Sequence, residues 1–244
     1  MISEHKFVTS FTSAWREVMP LGDNYWRKQN LLLLPKQPIV KNIVAPGIRG
    51  LVNELAFMSF CEILGSSSSH ESLLPGSKDM GKRIATAVTN NIPSVITYIN
   101  RLPFTNEISV KEIGHDCISE AQYLVQNLLK FFPLNGAYEL RPKFNGCGLL
   151  SACEGDLISN GCLYEIKAGD RPFRISDIRQ LLVYAALAYA NDSLSFDQIG
   201  LCNPRKGLVW VRSIDSVCQS VSGQRASDVL ANLILHFDSI DGTQ

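Results

Sequence analysis

Apolar residues recur every three or four positions through VKEIGHDCISEAQYLVQNLLKFF, 110–132. Ile113, Cys117, Ala121, Leu124, Leu128 and Phe132 fall on one stripe, which predicts a helix with one buried face. Pro133 and the Asn135-Gly136 turn stop it. Similar periods predict helices over 47–64, over 78–100 with an interruption at Pro93, over 175–191 with Ser176 as N-cap, and over 224–238. GSSSSHES at 65–72 has the composition of a loop. The pattern changes near Leu134. AYELRPKF at 137–144, the segments 152–159 and 162–168, QIGLC at 198–202 and GLVWVRSI at 207–214 read as strands, the last two joined by the turn sequence NPRKG. The expected class is α/β (α+β): a core of helix, three-stranded meander, helix and two further strands over 109–244, behind a mainly helical region over 1–108.

Asn160-Gly161, inside GDLISNGCLYEIK, is a strong signal for a two-residue type I′ hairpin turn. With that loop, Ser159 opposes Cys162, Ile158 opposes Leu163 and Leu157 opposes Tyr164. Extending the register sets Asp156 against Glu165 and Glu154 against Lys167, so all four charged side chains project from one face. Opposed carboxylates repel unless something neutralises them. A divalent cation such as Mg²⁺, which takes carboxylate oxygens, reverses the sign of that interaction. A neighbouring Lys can orient or deprotonate a water, or offset developing negative charge. A solvated face with a Glu154–Lys167 ion pair explains the hairpin alone equally well.

Composition narrows the field modestly. The formal net charge is zero, so a nucleic-acid partner needs a local basic patch rather than the field of the whole chain. The seven cysteines include no C-x-x-C pair, which points to scattered reduced thiols and a cytoplasmic protein rather than a disulfide framework or zinc ribbon. The N-terminus lacks a signal-peptide pattern, and LLLLP at 31–35 is too short to span a membrane, so no membrane partner is expected. Nucleotide-binding glycine loops, H-E-x-x-H and G-x-S-x-G are missing, and the four His are scattered.

The helix after the hairpin carries Gln180 and Tyr184, four apart and on one face. Gly155-Asp156, then Glu165-Ile166-Lys167, then Gln180-x-x-x-Tyr184 resembles the PD-(D/E)xK nuclease superfamily in its RecB/lambda-exonuclease-like branch. The resemblance covers about 110–214 and implies a restriction-endonuclease-like core. It implies that Asp156 and Glu165 bind Mg²⁺ or Mn²⁺ with the backbone carbonyl of Ile166. It also implies that Lys167 sits by the attacking water, and that Gln180 and Tyr184 touch the substrate backbone or brace the site. The family adds an acid from the first core helix. Glu120, at the edge of the apolar stripe, is the candidate; Glu139 and Glu154 are rivals, and His115 lies well outside the stripe.

Arg141, Lys143, Arg171, Arg174 and Arg179, with Arg205 and Lys206, are candidate phosphate contacts. Trp210 reads as core rather than as a stacking platform. The expected activity is metal-dependent hydrolysis of phosphodiester bonds, in DNA more than RNA. A non-catalytic nucleic-acid-binding or assembly subunit of the same fold is the alternative. Relatives of this branch work beside helicases or other ATPases in repair or antiviral defence, so such a partner is expected, docked on the N-terminal region. A homo-oligomer is left open.

Overall fold

The computed structural model describes residues 1–66, 77–101, 109 and 113–239. Helices α1 (Glu4–Ser10), α2 (Thr12–Val18), α3 (Gly22–Leu32), α4 (Arg49–Gly65), α5 (Lys78–Ile99) and α6 (His115–Phe131) precede every strand. Then follow β1 (Tyr138–Leu140), β2 (Lys143–Phe144), β3 (Cys153–Glu154), β4 (Leu157–Ser159), β5 (Cys162–Ile166), α7 (Ile175–Ala190), β6 (Gln198–Asn203), β7 (Leu208–Ser213), α8 (Ile214–Ser222) and α9 (Ala226–Asp238). The protein is a mixed α/β fold. Its five-stranded sheet has the order β1-β4-β5-β6-β7, antiparallel except where α7 carries the chain from β5 to a parallel β6.

Alternation along the strands feeds a core on each face of the sheet. Leu163, Ile199 and Leu201 join α1–α3, α7, α8 and α9. Leu157 and Cys202, with half-buried Tyr164 and Ile166, join α4, α5 and α6. Both cores cross the expected boundary at 108/109, because α1–α3 pack with C-terminal helices and α4 packs on α6. Trp210 is core, edge-on to Trp26 at 5.2 Å. Helix α7 is buried along almost its whole length from Ile178 to Ala188, as its run of Leu, Val and Ala requires.

Several boundaries differ from those the pattern predicts. Helix α5 runs through Pro93 without a break. Helix α7 starts from Arg174 rather than Ser176. The Asp177 carboxylate accepts the Arg174 N–H at 2.8 Å, and the Asp177 N–H donates back to the Arg174 carbonyl at 3.0 Å. Residues 110–112, the expected start of α6, and most of the 65–72 loop lie outside the described residues; Gly65 itself ends α4.

The expected strands 137–144 and 152–159 are both broken midway. Arg141, at φ 52°, and Pro142 interrupt the first; Gly155 and Asp156 interrupt the second. The Arg141 N–H donates to the Asp156 carbonyl (3.0 Å) and the Gly155 N–H to the Pro142 carbonyl (2.9 Å), so the ribbon stays joined while its outer half, β2–β3, forms a separate two-stranded sheet. A β-carbon on Gly155 would sit 3.1 Å from the Phe144 ring, so this close crossing favours glycine.

A strap over 36–44 crosses the β6–β7 turn. Lys36 and Gln37 donate to the Gly207 carbonyl and Val40 to that of Arg205. The Asn127 side chain donates to the carbonyls of Pro38 and Pro204. Under the strap lies Arg205, 1% exposed. It donates to the Ala168 carbonyl (2.8 Å), Asn42 Oδ1 (2.7 Å), Asn53 Oδ1 (2.9 Å) and Glu120 Oε1 (2.6 Å). Glu120 Oε2 accepts the backbone N–H groups of Ile43 (2.8 Å) and Val44 (3.2 Å).

Candidate functional site

The Asn160-Gly161 turn forms as a type I′ hairpin requires, with φ of 50° and 72°. Its register is Ser159 with Cys162, Ile158 with Leu163 and Leu157 with Tyr164. There the ladder ends. Asp156 lies at the bend before β4, and instead of opposing Glu165 its Oδ2 accepts the backbone N–H of Ile166 at 2.6 Å. Glu154 does not meet Lys167. It faces Lys143 in the β2–β3 pair, and its carboxylate binds Arg141 at 3.2 Å. The bend therefore removes Glu154 from the charged group and leaves Asp156 beside the end of β5.

From Glu165 a chain of polar contacts crosses to α7. Lys167 Nζ donates to Glu165 Oε1 (2.8 Å) and to Gln180 Oε1 (2.8 Å), and Gln180 Nε2 donates to the Tyr184 hydroxyl (2.8 Å). The Tyr184 ring stacks on Phe144 at 5.1 Å, which fixes it. One turn of helix between Gln180 and Tyr184 suffices to put both on the face toward β5. Glu165 is 6% exposed, and its Oε2 has no hydrogen-bond partner. A buried, unpartnered carboxylate oxygen is costly unless a cation supplies what the protein does not.

A cleft of about 300 Å³ opens beside this chain, lined by Asn53, Glu54, Asp156, Ile166, Lys167 and Arg171 among others. Burial first, then the neighbouring Glu165, raises the Asp156 carboxyl well above its ordinary value. Burial also raises Glu165, against the pull of Lys167. Burial works against the Lys167 ammonium, but the Glu165 contact outweighs it and holds the amine above its ordinary value.

Glu54 is the acid that pattern reading misses. It lies on α4 and lines the cleft with Asp156. Its signal was available: Asn53-Glu54 is a polar pair inside the otherwise apolar run LVNELAFMSF. Glu120, expected in that place, does not line the cleft; its oxygens are taken by Arg205 and the strap amides. The period of α6 sets Glu120 toward the interior, as expected, but at the sheet end where Arg205 waits. Glu139 is exposed on β1, and His115 is exposed at the start of α6.

The candidate phosphate contacts divide. Lys143 and Arg174 are exposed. Arg171 lines the cleft and grips Asp177 through both terminal nitrogens, at 2.8 and 2.7 Å. Arg141 bridges Glu54 (3.1 Å) and Glu154 (3.2 Å). Arg179 lies over the Trp15 ring at 5.4 Å, and burial lowers its pKa. Arg205 is enclosed, and Lys206 is half-buried in the β6–β7 turn.

No protein-family model, curated protein or solved structure matches this chain. Among the described residues, no group of three His, Cys, Asp or Glu side chains gathers closely enough to hold a metal ion unaided, and no helix is long and apolar enough to cross a membrane.

Proposed function

We propose that the protein is a divalent-cation-dependent nuclease that hydrolyses phosphodiester bonds, in DNA rather than RNA, and works beside a helicase or other ATPase. The observation that carries this reading is the buried Glu165 Oε2 without a partner, one contact from Lys167 and beside Asp156. The oxygens that would hold a hard cation are those of the cleft residues Asp156 and Glu54 and the backbone carbonyl of Ile166, with the unpartnered Oε2 of Glu165 beside them and water completing the shell. When bound, Mg²⁺ or Mn²⁺ supplies Lewis-acid polarisation of the phosphoryl oxygens. Lys167 presents its ammonium where negative charge develops on the phosphoryl group. Gln180 aims Lys167, and Tyr184, locked by Phe144, aims Gln180. Arg171 offers the cleft a further positive charge already oriented by Asp177.

The test is cleavage of single- and double-stranded DNA in Mg²⁺ or Mn²⁺. Asp156→Asn, Glu165→Gln and Lys167→Ala should each lower the rate by about 100-fold or more. Cleavage unchanged in all of them refutes the assignment. A second reading, nucleic-acid binding without catalysis, draws on the wide spacing of the acids and on the occupation of Glu54 by Arg141. It predicts DNA retention with no cleavage under any divalent cation.

A further inference from the structure

Arg141 stands out as a basic residue built into an acidic site. Its backbone is left-handed, at φ 52°, a conformation that costs a non-glycine residue about 1 kcal/mol. Two sets of contacts hold it there. Its N–H donates to the Asp156 carbonyl, and its guanidinium spans Glu54 at 3.1 Å and Glu154 at 3.2 Å. The guanidinium carbon also lies 5.2 Å from the centre of the Phe57 ring, a residue of the cleft wall. Glu54 is the cleft carboxylate that Arg141 takes out of use, while Glu154 is outside the cleft. The same residue thus fixes the backbone of one cleft acid and neutralises the side chain of another.

We infer that Arg141 is the resident counter-ion of the cleft: it satisfies Glu54 when no divalent cation is bound, and yields Glu54 to the cation when one enters. The inference rests on the proposed cation site. A divalent ion and a guanidinium compete for one carboxylate, so the affinity for the ion is set partly by what Arg141 must release. Glu154 is its alternative partner, keeping the displaced guanidinium at the rim and able to meet a substrate phosphate there.

The experiment is Mn²⁺ binding to the full chain by titration calorimetry, with Mg²⁺ titration followed by NMR. Unmodified protein should bind Mn²⁺, and Asp156→Asn should lose that binding. Arg141→Gln should bind Mn²⁺ about two- to fivefold more tightly, the range expected when a partly exposed ion pair no longer competes. Arg141→Lys, which keeps the charge, should stay near the parent. Glu154→Gln, which leaves Glu54 as the acidic partner of the Arg141 guanidinium, should bind no more tightly than the parent. In unmodified protein the Arg141 Nε–H resonance, assigned by its loss in Arg141→Lys, should move along the Mg²⁺ binding curve; this arm needs no folded Gln variant. Binding that is lost in Asp156→Asn but not tightened in Arg141→Gln, or an Arg141 resonance unmoved at saturation, overturns the inference and leaves the cation site standing. No Mn²⁺ binding, or binding that survives Asp156→Asn, overturns both.

Discussion

Glu120→Ala separates a structural carboxylate from a catalytic one. The substitution removes the 2.6 Å contact to Arg205 and the oxygen, Oε2, that accepts both the Ile43 and Val44 amides. Arg205 keeps the oxygens of Ala168, Asn42 and Asn53 but loses its only acidic contact among the described residues, at 1% exposure. Breaking a buried pair from one side costs about 3–5 kcal/mol. For a chain of this size that lowers the melting temperature by about 10 °C. Urea unfolding followed by circular dichroism reads the loss as a lower midpoint at unchanged slope. Glu120→Gln, which keeps an acceptor for the strap amides, should lose less. Mn²⁺ affinity of the folded fraction should stay within about twofold of the parent, since no Glu120 atom lines the cleft. An unchanged midpoint together with lost Mn²⁺ binding refutes the reasoning and returns Glu120 to the cation site.

Other outcomes follow from the same geometry. Asp156 and Glu165 are both held above their ordinary values of 3.8 and 4.5, so the folded state retains protons that the unfolded chain releases. Stability from these groups is fully present below about pH 4 and is lost as pH rises through the raised folded values. In EDTA, Asp156→Asn should therefore unfold at higher urea than the parent at pH 8, with the gap closing toward pH 4. A gap that widens on acidification refutes the sign. Gly207→Ala should cost at least about 2 kcal/mol, because φ is 64° and the new methyl meets the backbone of Gln37; an unchanged urea midpoint would count against the strap. Tyr184→Phe should cost about 1 kcal/mol for the hydrogen bond to Gln180 while retaining the stack on Phe144; steady-state cleavage should drop without a change in far-ultraviolet dichroism. Burial holds the Cys162 and Cys218 thiols up at about 12, so alkylation at pH 8 should be slow in native protein and fast in urea.

The sequence made the sheet legible wherever turns and periods act locally. Asn160-Gly161 dictated its own φ angles, and the register near it followed. The extension of that register to Asp156 and Glu154 failed because Arg141-Pro142 and Gly155-Asp156 break the ribbon from both sides, and no local period records such a coincidence. Helix spacing put Gln180 and Tyr184 on one face, but only the motif resemblance joined them to Glu165 and Lys167 in the polar chain that forms. Glu54 and Glu120 exchanged places for a long-range reason. Two acids on two helices look alike in sequence, and only their distant cations separate them: Arg205 encloses Glu120 in the interior, while Arg141 meets Glu54 at the cleft. Helices α1 to α3 are short, and their buried anchors, Phe7, Trp15 and Trp26, are too widely spaced to set a period.

Arg205 also orders the protein in time. Its partners lie 37, 85, 152 and 163 residues earlier in the chain. Contacts of that separation are closed at a high cost in loop entropy, and none can form until residue 205 exists. During synthesis, Glu120 and the strap emerge and wait without their cation. The wall of the cleft that Asn53 and Ala168 supply is then assembled only when the β6–β7 turn arrives. A nascent chain cut short before that turn would carry the acids of the site without its frame, so any hydrolytic activity would be withheld until the β6–β7 turn has been made.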